Sequence, residues 1–289
     1  CCLNSQVKYL KLMNINRRDF LSLTTCCCGS FLLAGCSTAP ITGRPQFTAL
    51  PESMINSQAI GAYKQVKEKA KLITEKDQLD PIVAVGQKLE KAIRYYFKSH
   101  NLKDPTQNYD WEYILINDPK TLNAWCMPGG KIAVYSGILE VTKDENGLAA
   151  VMGHEIAHAV ARHSLERASA ALAINIGSMA ADIALGGAIS RTRNTVGQTT
   201  GMDIVQLGIF NPFSRHQESE ADYLGIIFAN LAGYDPAGAV QLWERMQEKM
   251  KGKEPPQFLS THPSSGNRIN DLRLLIPKVK IEYPKIQNL

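Results

Sequence analysis

Residues 153 to 164 read GHEIAHAVARHS, and this stretch constrains the fold more than any other. On an α-helix, residues four apart stand above one another, so His154 and His158 aim two imidazoles at a common point. Glu155 follows the first of them. All three interrupt a small, apolar segment, AAVMGHEIAHAVA, in which polar groups need partners. A surface-facing polar turn is the plain alternative, but a metal ion meets the need directly. Zinc accepts imidazole nitrogen at about 2.0–2.1 Å and is usually tetrahedral, so two histidines supply half a shell. Glu155, next to the first ligand, can reach a water activated by the metal and take its proton as general base. A fold that uses this helix must pack a second ligand-bearing element against it.

ESEAD at 218–222 offers one. Glu218 and Asp222 fall at i and i+4 on another predicted helix, again on one face. Glu218 can complete a His-His-Glu shell with a position left open. Asp222 can accept a hydrogen bond from the far nitrogen of a ligating histidine and fix its tautomer. An exposed acidic face is the alternative, and Glu220 reads as part of such a face. His163 and His216 stand at the wrong spacing for ligands and His100 sits in a loop, so none of the three is given chemistry.

The rest of the body supplies helices and a few strands. Tyr63, Val66, Ala70 and Ile73 recur at helical spacing, and a second helix opens at Asp80-Pro81 and carries Ile82, Val85, Leu89, Ile93 and Tyr96. WEYILIN (111–117) alternates like a strand, and GGKIAVYSGIL (129–139) reads as a turn and a strand. Thr142 with Glu145 forms a capping box that opens a long helix through the quoted motif. Residues 168–189 read as a pliable helical hairpin or lid, with a membrane span as the alternative. Residues 191–201 read as a mobile loop. Further helices run through HQESEADYLGIIFANLA to Gly233, from Asp235-Pro236, and through Ile269, Leu272 and Leu275. The expected class is α+β, mainly helical, with a small β-sheet.

The first thirty-six residues read as an address. Arg17-Arg18 precede an uncharged run that ends Leu33-Ala34-Gly35-Cys36, the layout of a secretion signal with a twin-arginine-like start and a lipobox. A short transmembrane anchor is the alternative. Residues 1–12 read as upstream of the start, 13–35 as the signal peptide, 36–57 as a tether lipidated on Cys36, 58–278 as the domain and 279–289 as a tail. With that cut, only Cys36 and Cys126 of the seven cysteines remain, which leaves no disulfide framework. Cys126 reads as a small buried hydrophobe, with a thiol near the site as the alternative. The formal charge of +5 falls to +2 once the +3 before Cys36 is removed, so a nucleic-acid partner is not expected.

TGRPQ (42–46), NAWCMPGGKIAVYSGIL (123–139), GHEIAHAVARHSLER (153–167), ESEADYLG (218–225) and THPSSGNRI (261–269) together resemble the M48 family of zinc metallopeptidases, in its bacterial periplasmic lipoprotein branch. The resemblance implies a zincin-like (gluzincin) domain that binds one Zn2+ per chain through His154, His158 and Glu218. Glu155 would be the catalytic base and Asp222 the support behind a ligand. His262 would stabilise the oxyanion or occupy the open metal position, and Arg268 would support that region, a surface arginine being its alternative. Asn123, Ala124 and Trp125 would form an edge strand to which an extended substrate adds. The expected function is an endopeptidase, lipid-anchored in the bacterial periplasm and acting on unfolded or misassembled envelope proteins, with envelope assembly machinery as a possible partner. Ser37 favours the outer membrane. The rival is an assembly factor or chaperone with a latched, low-activity zinc site.

Overall fold

The computed structural model describes residues 35–184, 212–250, 257–263 and 266–287. Most of the expected signal segment and all of the 191–201 loop lie outside the described residues, as do 185–189 of the expected hairpin. In chain order the elements are β1 (Cys36–Thr38), β2 (Pro45–Phe47), α1 (Glu52–Lys69), β3 (Leu72–Ile73), α2 (Lys76–Ser99), β4 (Glu112–Ile116), β5 (Ala124–Met127) and β6 (Lys131–Tyr135). They continue with α3 (Leu139–Thr142), α4 (Glu145–Val160), α5 (His163–Ala184), α6 (Arg215–Leu231), α7 (Ala237–Met250), α8 (Gln257–Thr261) and α9 (Arg268–Glu282). This is the expected mainly helical α+β class.

The main sheet has the order β3-β4-β6-β5, with β4 and β6 parallel and the outer pairs antiparallel. Both faces are covered. Leu115, Ile132 and Val134 pack toward α2 and α4, whereas Ile114, Ile116 and Ala133 pack beneath Ala59 and Tyr63 of α1. Strand alternation in β4 therefore separates two cores rather than core from solvent.

α4 runs through the centre, and every residue from Gly147 to Val160 is buried. Its small side chains let it be surrounded. At Gly153 a β-carbon would stand 3.0 Å from the carbonyl oxygen of Gly225 in α6, and one at Gly225 would stand 3.0 Å from the amide nitrogen of His154. These two glycines bring the backbones of α4 and α6 together where the motif histidines face Glu218.

Several expected boundaries are corrected. α4 is capped by Asp144, whose side chain accepts from the Gly147 amide, and not by Thr142, which ends α3. α2 begins at Lys76, one turn before the expected Asp80-Pro81 start, because Leu79 in that extra turn packs against the core. Pro81 then lies exposed in the second turn, where its missing N–H leaves the carbonyl of Asp77 without its intrahelical donor. α1 starts at Glu52 and stops at Lys69, so Ile73 leaves the helix and pairs with Leu115 in the sheet. The single long helix expected through the motif breaks at Arg162, whose φ of 60 turns the chain before α5. Of the expected hairpin, 168–184 continues α5, and among the described residues no helix is long and apolar enough to cross a membrane.

The stretch read as a tether is partly folded onto the body. Cys36–Thr38 pairs with Pro45–Phe47 as an antiparallel hairpin. Gln46 is buried, and its Nε2 donates to the Ala161 carbonyl at 2.6 Å. Arg44 donates bidentately to Glu166 at 2.9 and 2.8 Å. These contacts anchor the hairpin beside the end of α4.

Candidate metal centre

His154 and His158 stand together on α4 as their spacing requires, with Nε2 atoms 3.1 Å apart. α6 faces them. Its first turn is fixed by a capping box in which the Ser214 hydroxyl accepts from the Gln217 amide and the Gln217 side chain accepts from the Ser214 amide. Glu218, the next residue, reaches across with Oε1 3.4 Å from His158 Nε2 and Oε2 3.5 Å from His154 Nε2. His262, just after α8, brings Nδ1 to 3.0 Å from Glu218 Oε1 and 3.3 Å from His154 Nε2. One donor atom from each of these four residues lies within 4.8 Å of the others, and all four residues are buried. Three imidazoles and one carboxylate form a nitrogen-rich donor set that suits zinc.

Charge is confined here by burial. Burial raises the Glu218 carboxyl, but hydrogen bonding with His154, His158 and His262 more than offsets it and holds the group well below the usual carboxylate range. Burial depresses the His154 imidazole, whereas Asp222 and Glu218 carry it up to about 9. For His158 burial prevails, and its pKa falls well below the ordinary histidine value. Glu155 is 3 % exposed and is raised by burial. Its Oε1 has no hydrogen-bond partner among the described residues, although His262 Nε2 stands 3.3 Å away. The arrangement can therefore bind a cation, and it places an available carboxylate beside the cluster.

Asp222 lies where the i+4 spacing put it, with Oδ1 3.0 Å from His154 Nδ1. Arg268 is 3 % exposed, not a surface arginine. It donates to Glu218 Oε2 at 2.9 Å and to Asp222 Oδ1 at 2.6 Å, and its guanidinium lies 3.5 Å from the Trp243 ring centroid. Burial and Arg268 act in opposite directions on the Asp222 carboxyl, and with His154 the arginine lowers it. Arg268 thus holds two carboxylates directly beside the ligand cluster, with its Nη2 also 3.3 Å from His154 Nδ1.

Two residues passed over in the sequence belong to this centre. His163 is wholly buried, with Nδ1 2.7 Å from His158 Nδ1 and Nε2 3.0 Å from Glu220 Oε2. Glu220 is buried rather than on an exposed acidic face, and it accepts from Arg44 Nε at 2.7 Å and from the Thr42 hydroxyl. The missing signal was the break at Arg162, which turns a fifth-residue histidine back toward the second ligand. His100 and His216 are exposed.

β5 is the edge strand of the main sheet and runs beside α4. Asn123 and Ala124 are buried, and Trp125 packs edge-on against Tyr63 at 6.1 Å between centroids. Cys126 is buried, and burial pushes its thiol pKa well up, as expected of a packed side chain rather than a reactive one. Cys36 is exposed in β1.

The model of Peptidase family M48 matches residues 84–276. The chain is similar to "Mitochondrial metalloendopeptidase OMA1" of Schizosaccharomyces pombe, 41% identical over 60% of the chain and 48% of that protein. It is 28% identical to the Saccharomyces cerevisiae protein of the same name over 94% of the chain and 78% of that relative. The "Putative beta-barrel assembly-enhancing protease" of Vibrio cholerae is 32% identical over 56% of the chain and 34% of its own length. The chain thus spans about half of the first of these and a third of the last. The expected bacterial periplasm is overturned: both yeast relatives are named as mitochondrial, as are the plant and mammalian relatives.

Proposed function

The chain belongs to peptidase family M48, and from that premise we propose that it is a zinc-dependent endopeptidase with His154, His158 and Glu218 as ligands and Glu155 as general base. The observation that carries this reading is the buried convergence of donor atoms from His154, His158, Glu218 and His262 within 4.8 Å. When bound there, one zinc ion per chain would supply Lewis-acid chemistry, polarising the scissile carbonyl and acidifying water.

The chain's own residues do the rest. Glu155, raised by burial, takes a proton from the attacking water at its carboxylate and returns it to the leaving amine. His262, with Nε2 directed toward Glu155, faces the developing oxyanion. Asp222 holds His154 through Nδ1, and Arg268 acts as a positioning residue through Asp222 and Glu218. An extended substrate segment pairs with the outer edge of β5 at Asn123, Ala124 and Trp125, β5 being the last strand of the sheet among the described residues, and backbone hydrogen bonding there gives affinity with weak side-chain preference.

The substrate class is unfolded or misassembled protein of a membrane or envelope. The membrane anchor is lipid on Cys36, supported by the Leu33–Cys36 sequence and by the exposure of Cys36. The name of the Vibrio relative supports a link to beta-barrel assembly. Intact mass of the chain purified from its membranes tests the lipid, with Cys36→Ser as the unlipidated control.

The test of the reaction is cleavage of an unfolded protein by the zinc-loaded chain beside Glu155→Gln. The variant is expected to lose about 10²–10⁴-fold in rate with its zinc retained. Equal cleavage by both proteins contradicts the assignment of the base.

A second reading, an assembly factor or chaperone with a latched site, is favoured by one observation. His262 Nδ1 lies as close to Glu218 and His154 as the ligands lie to one another. Under that reading His262→Ala raises proteolysis. Under the first it lowers the rate about 10²–10³-fold with zinc still bound.

A further inference from the structure

His158 is held from behind by a chain of groups that the reaction itself does not use. Its Nε2 faces Glu218 and His154, so this nitrogen is the one turned toward the donor cluster. An imidazole that offers Nε2 as a ligand carries its proton on Nδ1. That proton points at His163 Nδ1, 2.7 Å away. His163 Nδ1 must then be the bare acceptor, which leaves the His163 proton on Nε2, 3.0 Å from Glu220 Oε2. Glu220 in turn accepts from Arg44 Nε and the Thr42 hydroxyl, both on the connection between β1 and β2. All donors and acceptors in the chain run one way: His158 donates to His163, His163 donates to Glu220, and Glu220 is fixed by cationic and hydroxyl donors.

Resting on the zinc reading, we propose that His163 is a positioning residue that sets the tautomer and ring orientation of His158, and that Thr42 and Arg44 of the N-terminal hairpin lock it through Glu220. The hairpin is then a structural part of the metal centre, and loosening it weakens metal retention from about 120 residues away in sequence. Only one arrangement of protons satisfies every group, so the order cannot be reversed without leaving His163 and His158 donor against donor.

The test is zinc affinity of the full chain, stripped with a chelator and titrated against a chromophoric competitor, beside thermal unfolding of the same metal-free proteins. His163→Leu removes the acceptor and is expected to weaken zinc about 10–100-fold. His163→Asn puts an amide oxygen near the Nδ1 position and should recover most of that loss, which a merely space-filling role would not predict. Arg44→Met, at the partly exposed end of the chain, should weaken zinc less than His163→Leu, and the metal-free melting temperature separates that loss from the stability lost with its ion pairs to Glu166 and Glu220. Wild-type affinity in His163→Leu overturns the proposal, as does Asn performing no better than Leu. If His163→Leu does not fold, Asn and Arg44→Met decide alone, and unchanged affinity in Arg44→Met refutes the lock. A wild-type chain that binds no zinc overturns the zinc reading as well, whereas zinc binding and cleavage with insensitive variants overturns this inference only.

Discussion

The two histidines of the motif share a helix and a ligand cluster, yet they are supported in opposite ways. His154 meets a carboxylate directly, since Asp222 stands 3.0 Å from its Nδ1 and is itself pinned by Arg268. His158 meets a second imidazole, and its carboxylate, Glu220, stands one residue further out. The electrostatic result differs accordingly: His154 is carried up to about 9, whereas burial keeps His158 well below its ordinary value. One ligand is backed by a charge and the other by a neutral relay. Asp222 costs the fold no extra element, because it sits one turn after Glu218 on α6. The relay requires a helix break at Arg162 and a docked N-terminal hairpin.

The largest effect expected from breaking this asymmetry lies on the His154 side. Asp222→Ala leaves Arg268 with a single buried carboxylate and His154 without its acceptor. It should weaken zinc about 10–100-fold and destabilise the fold by about 3 kcal/mol. Zinc titration and denaturant unfolding read the two parts separately. Affinity and stability both within error of wild type would show that the direct carboxylate is no stronger a support than the relay.

A smaller effect is expected at the contact that holds both sides in register. Gly225→Ala places a methyl 3.0 Å from the His154 amide, and should cost about 1–3 kcal/mol in unfolding free energy as α4 and α6 are pushed apart. Both ligands move together in that variant, so it should not discriminate between the two supports.

The smallest effect belongs to the relay's outer end. Glu220 is driven upward by burial, but its partners His163, Thr42 and Arg44 prevail and hold it at about 2, against an ordinary 4.5. A carboxyl held low in the folded chain contributes stability that is complete above its unfolded value and is lost as pH falls toward 2. The stability gap between wild type and Glu220→Gln should therefore be constant above about pH 5 and close as the medium is acidified. A gap that stays constant down to pH 3 would remove Glu220 from the charged network.

What the sequence disclosed follows the same division. His154, Glu155, His158, Glu218 and Asp222 were legible because each pair lies within one helical turn, where periodicity alone fixes the face. Arg268 and His262 were legible only through family resemblance, since nothing local says that residues 262–268 return to α4. His163 and Glu220 were not legible. Their meeting depends on a positive φ at Arg162 and on tertiary docking of Thr42 and Arg44, neither of which leaves a periodic signal. The same reason explains the misread helix starts: a turn stabilised by packing, such as Lys76–Asp80 through Leu79, outweighs the stop-and-start chemistry of Asp80-Pro81.

The central claim is that His154, His158 and Glu218 hold one zinc ion from two facing helices, and the most direct measurement is X-ray absorption at the zinc edge on the full chain loaded to stoichiometry. The account predicts one zinc per chain with a first shell of nitrogen and oxygen and no sulfur, lost in His154→Ala. Substoichiometric binding, a sulfur ligand, or an unchanged spectrum in His154→Ala would contradict it.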